Sequence, residues 1–241
     1  MMLKINPSAL VTGGARRIGR AVALALADEG FDIALHFNTS EQEANATAAE
    51  IRAKGRLCSL YQAPLNDTEA ARGLVAQVHE DFPGLELLVH SASLFKPSGV
   101  GIEALPLLDE HMDIHVRAAW VMGAEFADQV KRGSIIHFLD TRITTNKTDF
   151  TAYLLSKKTL AELVKLTALA FAPAVRVNAV APGFILPPEG KDQKYLDLRT
   201  MDIPLRRKGE VSDVTGAVSF LAGYDYITGQ VVFVDGGEHL L

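Results

Sequence analysis

The chain has 241 residues, 48% of them apolar, enough to bury a large core in one α/β domain or two small ones. A formal charge of −5, spread without long single-sign runs, argues against a dedicated nucleic-acid binder. The lone Cys58 forbids an internal disulfide, and no apolar run nears the ~18 to 20 residues of a membrane span. The seven histidines form no close metal-ligand motif, so no metal is expected. Met1 to Asn6 lacks a long apolar stretch and a cleavage pattern, so a soluble, cytoplasmic protein without a secretory signal is expected.

Ala9 to Val11 reads as a first strand. Thr12-Gly13-Gly14-Ala15-Arg16-Arg17-Ile18-Gly19 follows at once. Arg20 to Glu29 reads as a helix stopped by Gly30, and Asp32 to His36 as a second strand. Strand, glycine-rich turn, helix and strand within about thirty residues make the βαβ context of a dinucleotide site. Gly13 and Gly14 can take positive φ and let backbone N–H groups approach a pyrophosphate. Gly19 lets the helix pack close to the sheet, and the helix N-terminus adds partial positive charge. The bland alternative is a tight turn and nothing more.

An NAD site usually shows an acid at the end of the second strand. Here that strand ends His36-Phe37-Asn38-Thr39-Ser40, and the first acid is Glu41. Arg16, Arg17, His36, Thr39 and Ser40 could surround a 2′-phosphate, which favours NADPH, unless Arg16 is only a solvated charge.

Glu41 to Lys54 reads as a helix and Leu57 to Tyr61 as a third strand. A helix around Ala70 to Phe82 is broken by Pro83-Gly84, and Leu85 to Val89 is a buried-type strand. It runs into His90-Ser91-Ala92-Ser93-Leu94-Phe95, whose small residues fit a cofactor surface at a strand end. Phe95 is either core or an aromatic plate for a flat substrate. Asp109 to Lys131 reads as one long helix containing His115, and Ser134 to Leu139 as a strand delivering Asp140. After a polar loop comes a helix to about Phe171 carrying Tyr153 and Lys157, four apart and so on one face. An acid, a phenol and an ammonium brought together could form a proton relay. Arg176 to Ala181 is another strand ended by Pro182-Gly183. Residues 184–208 show no firm regular pattern and suit a substrate loop. A helix over Val211 to Leu221 and a strand over Gln230 to Asp235 complete the chain, read as a single domain over 1–241.

The glycine-rich turn, Tyr153-x-x-x-Lys157, Val177-Asn178-x-Val180-x-Pro182-Gly183, and Ile227-Thr228-Gly229-Gln230 with Val234-Asp235-Gly236-Gly237 stand in order. Together they closely resemble the short-chain dehydrogenase/reductase family across nearly the whole chain. That resemblance implies a Rossmann-type, doubly wound parallel sheet of about seven strands, order 3-2-1-4-5-6-7, with helices on both faces. Most relatives place a serine thirteen residues before the tyrosine, where this chain has Asp140. Most have a glycine at Arg17. Both departures resemble pteridine reductases and bacterial dihydromonapterin/dihydrofolate reductases.

The resemblance implies a cofactor site of Gly13, Arg16, Arg17, Ile18, Gly19, His36, Asn38, Thr39, Ser40, Leu65, Ser91, Ala92, Ser93, Tyr153, Lys157, Pro182 and Gly183. It implies a pterin or folate site of Arg17, Ser93, Phe95, Asp140, Tyr153 and Leu186, catalysis by Asp140, Tyr153 and Lys157, and a homotetramer. Lys157 is expected to hold the nicotinamide ribose and lower the Tyr153 pKa. Three positions depart from the pattern. Ser91 stands where an asparagine is usual, Pro64 stands where an acid often meets the adenine, and His115 replaces the usual helix asparagine. The open alternatives are a carbonyl or alcohol substrate on the same fold, and a non-catalytic NADP(H) sensor.

Overall fold

The computed structural model describes residues 5–187 and 200–241. The strands are β1 Ser8–Thr12, β2 Asp32–Phe37, β3 Cys58–Gln62, β4 Leu85–His90, β5 Gly133–Phe138, β6 Val175–Pro182 and β7 Val231–Val234. They pair in parallel in the order β3-β2-β1-β4-β5-β6-β7, the expected topology. Among the described residues the α-helices are α1 Arg17–Asp28, α2 Glu41–Ala53, α3 Thr68–Asp81, α4 Leu105–Met112, α5 Ala118–Gln129, α6 Thr151–Ala170 and α7 Val211–Gly223.

Inner strands of a parallel sheet are covered on both faces, so they read as unbroken apolar runs. Their side chains alternate between two cores. Leu10 and Ala34 meet Leu74, Met122, Phe126, Leu160 and Val164, from α3, α5 and α6. Ala9, Val11, Ile33 and Leu35 meet Val22, Leu26, Ala48, Ile51 and Val214, from α1, α2 and α7. The order reverses between β1 and β4, and this switch point opens the crevice at the carboxyl ends of the strands.

The expected single helix over Asp109 to Lys131 is corrected in two ways. It begins earlier, at Leu105, because Pro106 sits in the first turn, where a missing N–H costs nothing. A π turn at Asp113–Arg117 then divides α4 from α5. The polar loop expected after Asp140 contains a 3₁₀ turn, Thr141–Thr144. Of the segment 184–208, residues 188–199 lie outside the described residues. Its described ends are anchored: Gly209 N–H donates to Phe184 O at 3.0 Å, Leu205 N–H to Gly236 O at 3.1 Å, and Ile185 and Ile203 are buried.

Candidate active site

The crevice is built from five strand ends and the turns that leave them. At the end of β1, Gly13 has φ +63°, and a Cβ there would come within 2.9 Å of Ala92 Cα. A Cβ at Gly19 would meet Gly13 O at 2.2 Å. The backbone therefore packs as close as glycine allows. Thr12 fixes the neighbouring strip, its Oγ1 accepting from Ser91 N–H and Ala92 N–H, both at 3.1 Å. α1 has no side-chain cap and no acid in its first turn, so its leading N–H groups suit a phosphate. Arg17 opens that helix at φ +55°, in the left-handed region that favours the glycine the family resemblance places there. Its Nη2 donates to Pro187 O at 2.8 Å, reaching across to the segment after β6.

The end of β2 departs from expectation. Asn38 and Thr39 are exposed and Ser40 half-buried, but His36 is 1% exposed. Gly13 N–H donates to His36 Nδ1 at 3.2 Å, so Nδ1 is an acceptor, and Nε2, 2.9 Å from Ala63 O, carries the proton. Burial pushes its pKa down to about 4, against the opposing pull of the Ala63 carbonyl. The ring is neutral and both nitrogens are taken, so it shapes the glycine turn and presents no cation to a 2′-phosphate. Leu65 is likewise buried in the core, leaving only its backbone for an adenine. Arg16 and Ile18 flank the turn, exposed and half-buried.

Asp140, Tyr153 and Lys157 converge at the end of β5 and the start of α6. Tyr153 Oη donates to Asp140 Oδ2 at 2.8 Å, and Arg142 N–H donates to Asp140 Oδ1 at 2.8 Å. Lys157 is 2% exposed, donates from Nζ to Phe138 O at 2.7 Å, and lies 5.8 Å from the Tyr153 ring centre. Burial pushes Lys157 down to about 8, and the Asp140 charge opposes that fall. The expected lowering of the Tyr153 pKa is overturned. Burial first, then the Asp140 carboxylate, raise the phenol well above its ordinary value. A carboxylate in direct contact with the hydroxyl outweighs an ammonium 5.8 Å from the ring centre.

The strip after β4 forms the opposite wall. Ser98 stitches it to α6: Thr151 N–H donates to Ser98 O at 3.1 Å and Ala152 N–H to Ser98 Oγ at 2.9 Å. Ser93 and Phe95 are exposed on that wall. Phe95 stacks on Phe150 at 4.3 Å and meets Tyr153 edge-on at 4.8 Å. The Arg142 guanidinium is 5.3 and 5.5 Å from the two stacked rings, so it flanks the stack rather than capping it. Pro182 is buried at the end of β6, Gly183 N–H is spent on Val234 O at 3.0 Å, and Leu186 packs against the core on the α1–α7 side.

Four contributors went unnoticed in the sequence: Thr12, Arg142, Phe150 and Glu238. Asp235 holds the chain end in place, accepting from Thr141 Oγ1, from Gly237 N–H at 2.9 Å and from His239 N–H at 2.8 Å. This lays Glu238 beside Gly183, where an added Cβ would sit 3.1 Å from Glu238 Oε2. Burial, then the charge of Asp140, push Glu238 up to about 6, with Arg142 opposing. Nothing in the local sequence marks Glu238; its place follows from the Asp235 contacts. Among the described residues no group of three or more His, Cys, Asp or Glu converges as a metal site, and no helix is long and apolar enough to cross a membrane.

A family model described as Enoyl-(Acyl carrier protein) reductase matches residues 13–239. The chain is 30% identical to 3-oxoacyl-[acyl-carrier-protein] reductase FabG of Staphylococcus aureus (strain Mu50), covering 99% of this chain and all of that one. Among solved structures it is similar to FolM Alternative dihydrofolate reductase 1 from Brucella canis complexed with NADP: 34% identity, TM-score 0.93, 98% of this chain and 95% of that one. It is also similar to a blue fluorescent protein from a metagenomic library in complex with NADPH: 32% identity, TM-score 0.88, 96% of this chain and 97% of that one. Its sheet order, its glycine turn and these matches agree: the chain belongs to the short-chain dehydrogenase/reductase family and is an oxidoreductase.

Proposed function

We propose that the protein is an NADPH-dependent reductase of dihydropterins, converting dihydromonapterin, dihydrobiopterin or dihydrofolate to the tetrahydro form at a C=N bond. The observation that carries this reading is the contact between Asp140 Oδ2 and the Tyr153 hydroxyl. Reduction of a carbonyl calls for a donor to a developing alkoxide, a role a serine hydroxyl at position 140 would fill. An imine needs a proton on nitrogen, and a carboxyl can accept from amine-like N–H groups or pass a proton on. The likeness to the NADP complex of the Brucella canis protein, described as an alternative dihydrofolate reductase, supports the same reading.

NADPH, when bound, supplies the hydride. The glycine turn and the first turn of α1 would hold its phosphates, helped by Arg17 and by the exposed Asn38 and Thr39, with no acid between Phe37 and Glu41 to repel a 2′-phosphate. Lys157 would hold the nicotinamide ribose. Phe95 offers a ring to one pterin face, and Ser93 and Arg17 bond its polar edge. Tyr153 keeps its proton until the substrate nitrogen takes it, because a phenolate beside a carboxylate is disfavoured. The half-buried Asp140 is the port through which that proton is replaced.

We also propose a homotetramer in the cytoplasm. Trp120 on α5 and Leu155, Leu166 and Leu169 on α6 are 60, 47, 63 and 80% exposed, an apolar surface fit for another copy. Light scattering showing a monomer at micromolar concentration would reject it. The second reading is a 3-oxoacyl reductase, favoured by the 30% identity to the Staphylococcus aureus enzyme. NADPH oxidation with dihydromonapterin, dihydrobiopterin, dihydrofolate and acetoacetyl-coenzyme A separates the two. Turnover of the dihydropterins at least tenfold faster than the thioester is expected; the reverse order sinks the pterin reading.

A further inference from the structure

His115 is fully buried, and the chemistry above gives it no task. It sits in the π turn Asp113–Arg117, a helix irregularity found often at functional sites. The ring touches both walls of the crevice. Nε2 lies 2.9 Å from Ser93 Oγ and accepts from Leu94 N–H at 3.1 Å. Nδ1 lies 2.8 Å from Ser156 Oγ, and that hydroxyl donates to the Tyr153 carbonyl at 2.7 Å.

These partners assign the tautomer. An amide N–H only donates, so Nε2 bears no proton. The Ser156 proton is spent on the Tyr153 carbonyl, so Nδ1 carries the hydrogen and donates to Ser156 Oγ. Burial, then the Lys157 ammonium, then His90 and His111 keep the imidazole neutral, its pKa well below the ordinary value.

We infer that His115 is a positioning residue: a neutral strut, bonded at both nitrogens, that sets the distance between the Ser93–Phe95 wall and the Tyr153 helix and carries no proton in turnover. The inference rests on reading Ser93, Phe95 and Tyr153 as site residues, and holds for any substrate between those walls. A displacement of about 1 Å in such a site costs on the order of 100-fold in rate.

The full chain is tested as His115→Phe, His115→Gln and Ser156→Ala. The substrate is whichever of dihydrofolate, dihydrobiopterin or acetoacetyl-coenzyme A the wild type reduces fastest, so a wrong pterin reading leaves this test standing. His115→Phe should lower kcat/KM about 100-fold while the NADPH Kd, from fluorescence titration, stays within about twofold. His115→Gln restores one of the two bonds and should recover roughly tenfold. Ser156→Ala cuts the same chain by deleting one oxygen, and should cost about tenfold even where the Phe variant fails to fold. ¹⁵N NMR of labelled histidine should show Nδ1–H and a bare Nε2 at neutral and alkaline pH. Unchanged kinetics in folded variants, NADPH Kd rising in step with lost kcat/KM, or a protonated Nε2 overturns the inference. So does a limb of the wild-type pH–rate profile that disappears in His115→Gln.

Discussion

Asp140→Asn keeps the size of the side chain and removes its charge. The amide oxygen of the replacement can still accept from Arg142 N–H or from Tyr153, but the charge-assisted bond from the phenol at 2.8 Å becomes a neutral one. A hydrogen bond to a charged group is worth about 1.5–3 kcal/mol, against about 1 for a neutral pair. If that whole difference, about 0.5–2 kcal/mol, serves the transition state, kcat/KM at pH 6.5 falls roughly 2- to 30-fold. The sign of the pH effect is determined by the same charge. The Asp140 carboxylate raises Tyr153 and opposes the fall of Lys157, so its loss lowers both. In the proposed mechanism Lys157 binds the ribose as an ammonium, so burial, which pushes its pKa down to about 8, should give wild-type activity a falling limb through that pH. In Asp140→Asn the limb moves to lower pH. Initial rates of NADPH oxidation from about pH 5.5 to 9.5 measure both effects, a range that brackets that limb. A limb that stays in place or moves up, with kcat/KM within twofold of wild type, refutes the assignment of Asp140.

Arg17→Gly removes a side chain from φ +55°, where an L residue costs about 1–2 kcal/mol, and frees the Pro187 carbonyl. The variant should unfold at the same or higher denaturant concentration, yet its NADPH KM should rise about tenfold; a KM unchanged within twofold refutes the phosphate role. Gly19→Ala brings a methyl to 2.2 Å from Gly13 O, so NADPH affinity should fall more than tenfold in fluorescence titration, and a wild-type Kd contradicts the cradle. Burial holds His36 at about 4 and His137 at about 3, the latter with the Lys157 charge adding to it. Both are neutral when folded and near 6.5 when unfolded, so their contribution is complete above about pH 6.5 and lost as pH falls toward 4 and then 3. Each histidine removes up to about 1.4 kcal/mol per pH unit within that window. Urea midpoints at pH 7.5 and 5 should differ clearly, while equal midpoints argue against neutral buried rings.

The strands were readable because a parallel sheet buried on both faces is mainly apolar along its length, and β1, β2, β4, β5 and β6 each carry an apolar run. Tyr153 and Lys157 were readable because a spacing of four puts them on one helix face. The π turn was not, since no residue type in Asp113–Arg117 encodes an extra residue per turn. Its effect, aiming His115 at Ser93 and Ser156, exists only after α4, α6 and the β4 strip pack together. His36 was misread for a related reason. Its place at the end of β2 suggested a phosphate, but the ring turns inward to the Gly13 amide and the Ala63 carbonyl. Glu238 reaches Asp140 through the Asp235 anchor, a contact between distant parts of the chain that local patterning cannot register.

The Tyr153 proton shows what distance adds to composition. Both a cation and an anion were visible near the phenol in sequence, and their effects on its pKa have opposite signs. The structure decides between them, with Asp140 bonded to the hydroxyl and Lys157 5.8 Å from the ring centre, turned to the Phe138 carbonyl. A phenol raised this way is a poor general base and holds its proton for donation. Alcohol oxidation needs the opposite, a phenol that gives up its proton easily to take one from the alcohol. In the proposed reaction the pair Asp140–Tyr153 therefore favours reduction, and a substrate whose nitrogen is basic enough to claim the proton. On that argument Asp140→Ser should shift the balance, raising activity toward acetoacetyl-coenzyme A relative to dihydrofolate by roughly tenfold or more, the difference between a charged and a neutral partner for one hydroxyl. If the ratio of the two kcat/KM values does not change, the carboxylate is not what selects the substrate, and the selection lies in the Phe95 wall.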